Sequence, residues 1–308
     1  MNKLLQYIKT IPALGLCNVI YVLWYRFTLR SGIKKYKFKQ KSFKNTGPFF
    51  YEIEKASDFS TEWEPNLLKD ANKIIDGRLR YFAYHWKKVG NPPNWFLNPF
   101  INTTYPNYQH HWTKLPDFHP DLGDIKTVWE ASRFEWVVTL ARAYAITSNN
   151  KYLNTINNWL KDWVEKNPLN TGPNWKCGQE TSIRLFNLLH AAFILKQHLN
   201  PSPALVEFIE GSLDRIYKNI NYAIAQDNNH GTSEAAGLFI GGNWLNHIKN
   251  DSPEKVKKIA SYGCRILEKR VKKLIAPEGS FSQHSVNYHR VLLDTLSFAE
   301  FWRALLKL

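Results

Sequence analysis

A chain of 308 residues with 44% hydrophobic and 22% charged side chains can bury a large core, and its composition argues against a disordered protein. Its 41 Lys and Arg against 26 Asp and Glu leave a formal charge of +15, which points to an anionic partner (a polyanion, an acidic membrane surface or nucleic acid) and leaves the fold open. Three widely spaced cysteines, Cys17, Cys177 and Cys264, argue against a disulfide framework or a cysteine-based zinc site.

Along the chain, the first feature is "IPALGLCNVIYVLWYRF", an apolar stretch after Lys3 and Lys9 that Asn18 interrupts. At about fifteen apolar residues it is short for a membrane span. It has no small-x-small cleavage site, and Leu16 before Cys17 does not suit a lipoprotein-type site. The following "RSGIKKYKFKQKSFK" is basic and free of acid. Residues 1–45 are therefore expected to form an apolar and basic segment that packs or lies on an anionic membrane surface, with an uncleaved anchor or signal as the other reading. Without a convincing cleavable signal, a cytoplasmic or membrane-associated location is favoured over a periplasmic one.

From residue 46 to 308 one domain is expected, and after about residue 60 the helical period dominates. Apolar residues recur at helical spacing over 66–82, 127–147, "YLNTINNWLKDWVEKN", "ETSIRLFNLLHAAFILKQHL", "PALVEFIEGSLDRIYKNINYAI", 231–248 and "SPEKVKKIASYGCRILEKRVKKLI". "NPLNTGPN", "NPSP" and "NDSP" supply breaks, and Ser252 suits a helix start. Residues 83–126, rich in Pro, Asn and aromatics, read as a long irregular segment that can carry function. "FFYEI" could form short strands, but nothing suggests a sheet. The fold class is therefore all-α, an array of about seven or eight antiparallel helices with no fixed repeat. The closing "LSFAEFWRALLKL" reads as a chain stopping inside a packed element. The 12 Trp, 15 Tyr and 18 Phe suit either a large helical core or stacking on sugars.

Four stretches carry candidate chemistry. In "QDNNHGTSEAAGLFIGG", Asn229 or His230 sits where a helix cap is expected, Asn is a neutral donor suited to a carboxylate, and Glu234 lies one turn on from His230. Gly237, Gly241 and Gly242 allow close helix approach. In "APEGSFSQHSVNYHRVLLDTL", Gln283, His284, Asn287, Tyr288 and His289 crowd a helix start. A Tyr phenol, ordinarily near pKa 10, needs neighbouring cations or donors to act as a base, and the histidines and Arg290 are at hand. In "VWEASRFEW", Trp129 and Arg133 share a face with Glu130 nearby. In "NWKCGQETSIRLFN", Glu180 and Arg184 are spaced i,i+4 below Asn174 and Trp175. These pairs brace a core, or they form a platform and clamp for an acidic sugar.

No Walker loop, G-x-G-x-x-G or G-x-S-x-G motif occurs, and His110-His111 lack companions for a metal site, so no cofactor and no metal are expected. Nucleic acid is not expected either, because the basic run Lys255 to Lys273 is mixed in sign and no helix-turn-helix signature is present.

Taken in order, "VWEASRFEWVVTLARAY", "NWKCGQETSIRLFNLLHAAF", "NNHGTSEAAGLFIGG" and "EGSFSQHSVNYHRVLLDTL" resemble the heparinase II/III-like polysaccharide lyases over roughly residues 60 to 308. "LGLCNVIYVLWYRFTLRSG" is more weakly similar to the leader of members tied to bacterial surface-polysaccharide clusters. The resemblance implies an incomplete (α/α) toroid whose cleft holds an acidic polysaccharide, and β-elimination at a 4-linked uronic acid. It implies that Asn229 neutralises the sugar carboxylate beside His230, and that Tyr288 acts as base, acid or both. Substrate contacts are expected from Trp129, Arg133, Asn174, Trp175, Glu180, Arg184, Glu234, Gln283 and His289. In the family a β-sandwich carrying a partner histidine follows the toroid, and no β-rich segment follows here. The expectation is thus a toroid domain stopping short of that sandwich, with a non-catalytic glycan-binding module as the alternative.

Overall fold

The computed structural model describes residues 15–53, 64–249 and 253–308. Lys3, Lys9, the first residues of the apolar N-terminal stretch and the helix start assigned to Ser252 lie outside the described residues. The chain divides into two compact units: Gln40–Ser212, and the N-terminal residues up to Lys39 together with Leu213–Leu308.

In the Gln40–Ser212 unit the clearest helical periods form helices. Asn150–Lys166 starts where the Asn149 side chain accepts from the Lys151 N–H, at 3.1 Å. It buries Tyr152, Ile156, Trp159, Trp163 and their neighbours on one stripe. Gly178–Ile194 is buried on almost every side. Most tryptophans of this unit are core, while Tyr51, Phe82, Tyr84, Phe100 and Phe118 are exposed. Trp95, Trp136 and Trp159 meet at ring-centroid distances of 5.1 to 6.3 Å, and Phe134, Trp163, Trp175 and Phe208 form a second cluster. Each of these buried indoles has a use for its N–H: Trp95 donates to Asp162, Trp136 to the Ala131 carbonyl, Trp159 to Asn91, Trp163 to Ser132, and Trp175 to the Asn167 carbonyl.

Several expectations about this unit are corrected. The helix expected over 66–82 runs only from Glu64 to Ile75, and Arg78–Tyr81 is instead a strand paired antiparallel with His85–Lys88. Two more two-residue hairpins, Leu97–Asn98 with Thr103–Thr104 and Phe118–His119 with Gly123–Asp124, order the segment read as irregular. "FFYEI" forms no strand. The helix expected over 127–147 is broken into Lys126–Trp129, a 3-10 turn Glu130–Arg133 and Glu135–Thr147. Phe134 makes the break at φ 66°, a left-handed conformation costly for a phenylalanine and held by its packing on Trp136, Trp163 and Phe208.

The second unit contains helices Leu16–Arg30, Ile33–Lys37, Ile220–Ala225, Asn229–Ile248, Glu254–Leu274 and Val286–Leu305. Asn229–Ile248 and Glu254–Leu274 pack backbone to backbone through two glycines. A Cβ on Gly242 would stand 2.9 Å from Ala260, and one on Gly263 would stand 2.5 Å from the Phe239 nitrogen. Close approach through Gly242 was expected, and its partner Gly263 was not. Leu274, Phe281 and Leu292 then form a small core that fixes the connection into Val286–Leu305.

Candidate active site

Two helix starts meet in the second unit. Asn228, not Asn229 or His230, is the cap: its backbone is extended and its side chain accepts from the His230 N–H at 3.0 Å. Asn229 and His230 are therefore the first two helical residues, Asn229 buried and His230 half-buried. The surplus of polar residues is real, but the cap stands one position earlier than the pattern suggested.

The second start is Val286–Leu305, capped by Ser285, whose hydroxyl accepts from the Tyr288 N–H. Tyr288 and His289 thus lie in the first turn, and Tyr288 is exposed. Before it, the chain makes a tight reversal. Ala276 N–H donates to the Ser280 carbonyl, Ser282 N–H to the Leu274 carbonyl and His284 N–H to the Phe281 carbonyl. The reversal brings Gln283 back so that its Oε1 accepts from the Asn229 N–H at 2.8 Å, a contact between residues 54 apart in sequence. Gln283 therefore ties the two starts, and the Ser233 and Thr295 hydroxyls meet deeper between the same helices at 3.5 Å.

Charge gathers at the same helix start. Asp227, directly before the cap, binds Arg270 at 2.6 Å and Lys273 at 2.5 Å and accepts from Asn18. Burial works against its ionisation, but hydrogen bonds from Lys273 and Arg270 outweigh it and hold the carboxyl below its usual range. This cluster was not anticipated, because Lys255 to Lys273 reads as a solvated run until Asp227 is placed beside it. Glu234, one turn beyond His230, is fully buried, and its Oε2 has no hydrogen-bond partner. Burial pushes its pKa up to about 8, with Arg215 pulling the other way.

The remaining predicted residues lie in the Gln40–Ser212 unit. Trp129 is buried and donates to the Pro173 carbonyl at 2.9 Å. Trp175 is wholly buried among Phe43, Trp163 and Phe208. Arg133 grips Glu180 through Nε and Nη2, both at 2.8 Å, and also pairs with Glu130. With two carboxylates on one guanidinium, this cluster carries no spare positive charge. Arg184 is buried, donates to the Asn174 carbonyl at 2.6 Å, and lies 5.2 Å from the ring centroids of both Trp163 and Trp175. The Asn174 amide donates to Trp95 and Asn167. In this structure the set is a braced core. An open groove of about 940 Å³, lined in part by Trp95, Phe96, Tyr108 and Glu165, includes none of its members. Among the described residues no three His, Cys, Asp or Glu side chains converge as metal ligands would.

The four sequence blocks and the paired helix starts can be set against known proteins. The family model "Heparinase II/III N-terminus" matches residues 35–304. The chain belongs to that family. Over 167 residues it is 28% identical to a heparin-sulfate lyase of Bacteroides thetaiotaomicron, a match covering 51% of this chain and 22% of that protein. A solved heparinase III gene product superposes at TM-score 0.52 and 16% identity, over 83% of this chain and 39% of that one. Heparan sulfate lyase HepC from Pedobacter heparinus matches at TM-score 0.49 and 18% identity, over 84% and 40%. The chain therefore spans well under half the length of these relatives. The fold class of this heparinase II/III member is all-α, of the incomplete (α/α) toroid type.

Proposed function

We propose that this chain is the helical part of a polysaccharide lyase that cleaves a 4-linked uronic-acid polymer by β-elimination. The observation that carries the reading is the Gln283 bridge, which holds the Asn229 start and the Tyr288 start in one place within a heparinase II/III family member. The reaction needs the sugar carboxylate neutralised so that charge developing on removal of the C5 proton is stabilised. It also needs a base for that proton and an acid for the departing O4. Asn229, a neutral amide at a helix N-terminus, supplies the first: its donor and the helix dipole both favour a carboxylate there. Tyr288, exposed in the neighbouring first turn, is placed to meet a polymer arriving from solvent and takes the proton-transfer role. His230, next to Asn229, and His289, next to Tyr288, are further donors, and the charge of +15 favours capture of a polyanion.

The test is incubation with a panel of uronic-acid polymers while the far-ultraviolet absorbance of the unsaturated product is followed. Product from at least one polymer supports the reading. Salt-sensitive binding without product across the panel would favour the glycan-binding module instead.

A further inference from the structure

The Leu16–Arg30 helix is held to its own unit by one face. Tyr25 stacks on Tyr222 at a ring-centroid distance of 3.7 Å, and Asn18 donates to Asp227. In the following short helix the buried Lys34 donates to Asn219 at 2.8 Å and lies over the Tyr25 ring. These contacts fix which side faces outward.

The outward side is apolar. Leu16, Ile20, Leu23, Trp24 and Phe27 are each 54 to 66% exposed. At about 100° per residue they occupy a stripe roughly 100° wide. Trp24 and Phe27 stack on one another at 5.5 Å, and Ile33 and Tyr36 extend the exposed apolar surface. Around it stand Arg26, Arg30, Lys35, Lys37 and Lys39, all exposed, and the sequence from residue 15 to 51 holds no acid. Among the described helices none is long and apolar enough to cross a membrane.

We infer that this face docks in the plane of an anionic lipid surface, with the apolar stripe at the acyl boundary and the cations among the headgroup phosphates. The two features together choose this occupant. A hydroxylated, anionic glycan would satisfy the cations but would leave five large apolar side chains unburied. A second copy of the chain would cover the stripe but would set two acid-free basic rims against each other. Anionic lipid answers both, and the combination of Trp, Phe and Leu with flanking Arg and Lys is what an interfacial helix requires.

The experiment is flotation of the full chain with vesicles of phosphatidylcholine alone and of phosphatidylcholine with phosphatidylglycerol. The chain is expected to float with the anionic vesicles and to stay behind with the neutral ones. Leu23→Glu with Phe27→Glu should lower the bound fraction at least tenfold, and Arg26→Glu with Arg30→Glu should lower it to the neutral-vesicle level. These side chains are exposed, so circular dichroism is expected to be unchanged in both variants. The inference is overturned if the chain does not float with anionic vesicles, or if the Leu23→Glu, Phe27→Glu variant floats as well as the parent. It is also overturned if light scattering without vesicles shows a dimer that this variant dissolves.

Discussion

Replacing Glu234 by Gln isolates a single buried proton. Glu234 lies in the second turn of the Asn229–Ile248 helix, fully buried, and its pKa rises from an ordinary 4.5 to about 8, first through burial and against the pull of Arg215. A carboxyl raised in this way keeps in the folded state a proton that the unfolded chain releases. Stability is therefore full below the unfolded value, falls as pH rises from about 4.5 to about 8, and levels off above. At 1.36 kcal/mol per pH unit the whole window is worth roughly 4–5 kcal/mol, and the interval from about pH 5 to 7 roughly 2–3 kcal/mol. Glu234→Gln keeps the shape and removes the ionisation, so that part of the slope should disappear. The assay is urea unfolding of both proteins at several pH values across this interval, with the difference between them read at each. Parallel curves would refute the reasoning, because they would mean that Glu234 is charged throughout, with Arg215 fully compensating its burial.

Three further outcomes follow from the same unit. Gly263→Ala places a methyl 2.5 Å from the Phe239 nitrogen, so unfolding midpoints should show a loss of about 1–3 kcal/mol, whereas the exposed Gly47 has open space around its Cβ position and no left-handed backbone. Gln283→Ala strips the acceptor from the Asn229 N–H and should cost about 1–2 kcal/mol in unfolding assays while lowering product formation. If neither changes, Gln283 does not tie the two starts. Asp227→Asn removes the anion shared by Arg270 and Lys273, a part-exposed cluster worth about 1 kcal/mol near neutral pH. Because that carboxyl is held below its usual range, its contribution is present above the unfolded pKa and should fade as acid protonates the folded form.

The long amphipathic helices were legible because a stripe such as Tyr152, Ile156, Trp159 and Trp163 repeats often enough to show its period. The hairpins between 78 and 124 were not, since strands of two to four residues contain too little alternation to detect. Phe134 was invisible for another reason. The aromatic cluster that holds Phe134 at a positive φ includes Trp163 and Phe208, which are distant in sequence, beside the nearby Trp136. At the candidate site, the residue types in both stretches were readable, and so was the need for a cap. The cap's position at Asn228 was not, because three consecutive residues, Asp227, Asn228 and Asn229, all suit it. Nor could spacing join Asn229 to the Tyr288 turn, because the joining element is a reversal that depends on Leu274, Phe281 and Leu292 packing together. Trp129, Trp175, Arg133 and Arg184 show the limit of composition: a tryptophan beside an arginine reads the same in a glycan platform and in a braced core.

The most direct measurement of the central proposal is product formation by Tyr288→Phe on the polymer that gives the best rate. Tyr288 is exposed, and it is its backbone N–H that takes part in the helix cap, so helicity should be unchanged. The account predicts a fall in turnover of about a hundredfold or more, the scale of a lost proton-transfer group. A Tyr288→Phe protein that forms unsaturated product within roughly threefold of the parent rate would contradict it.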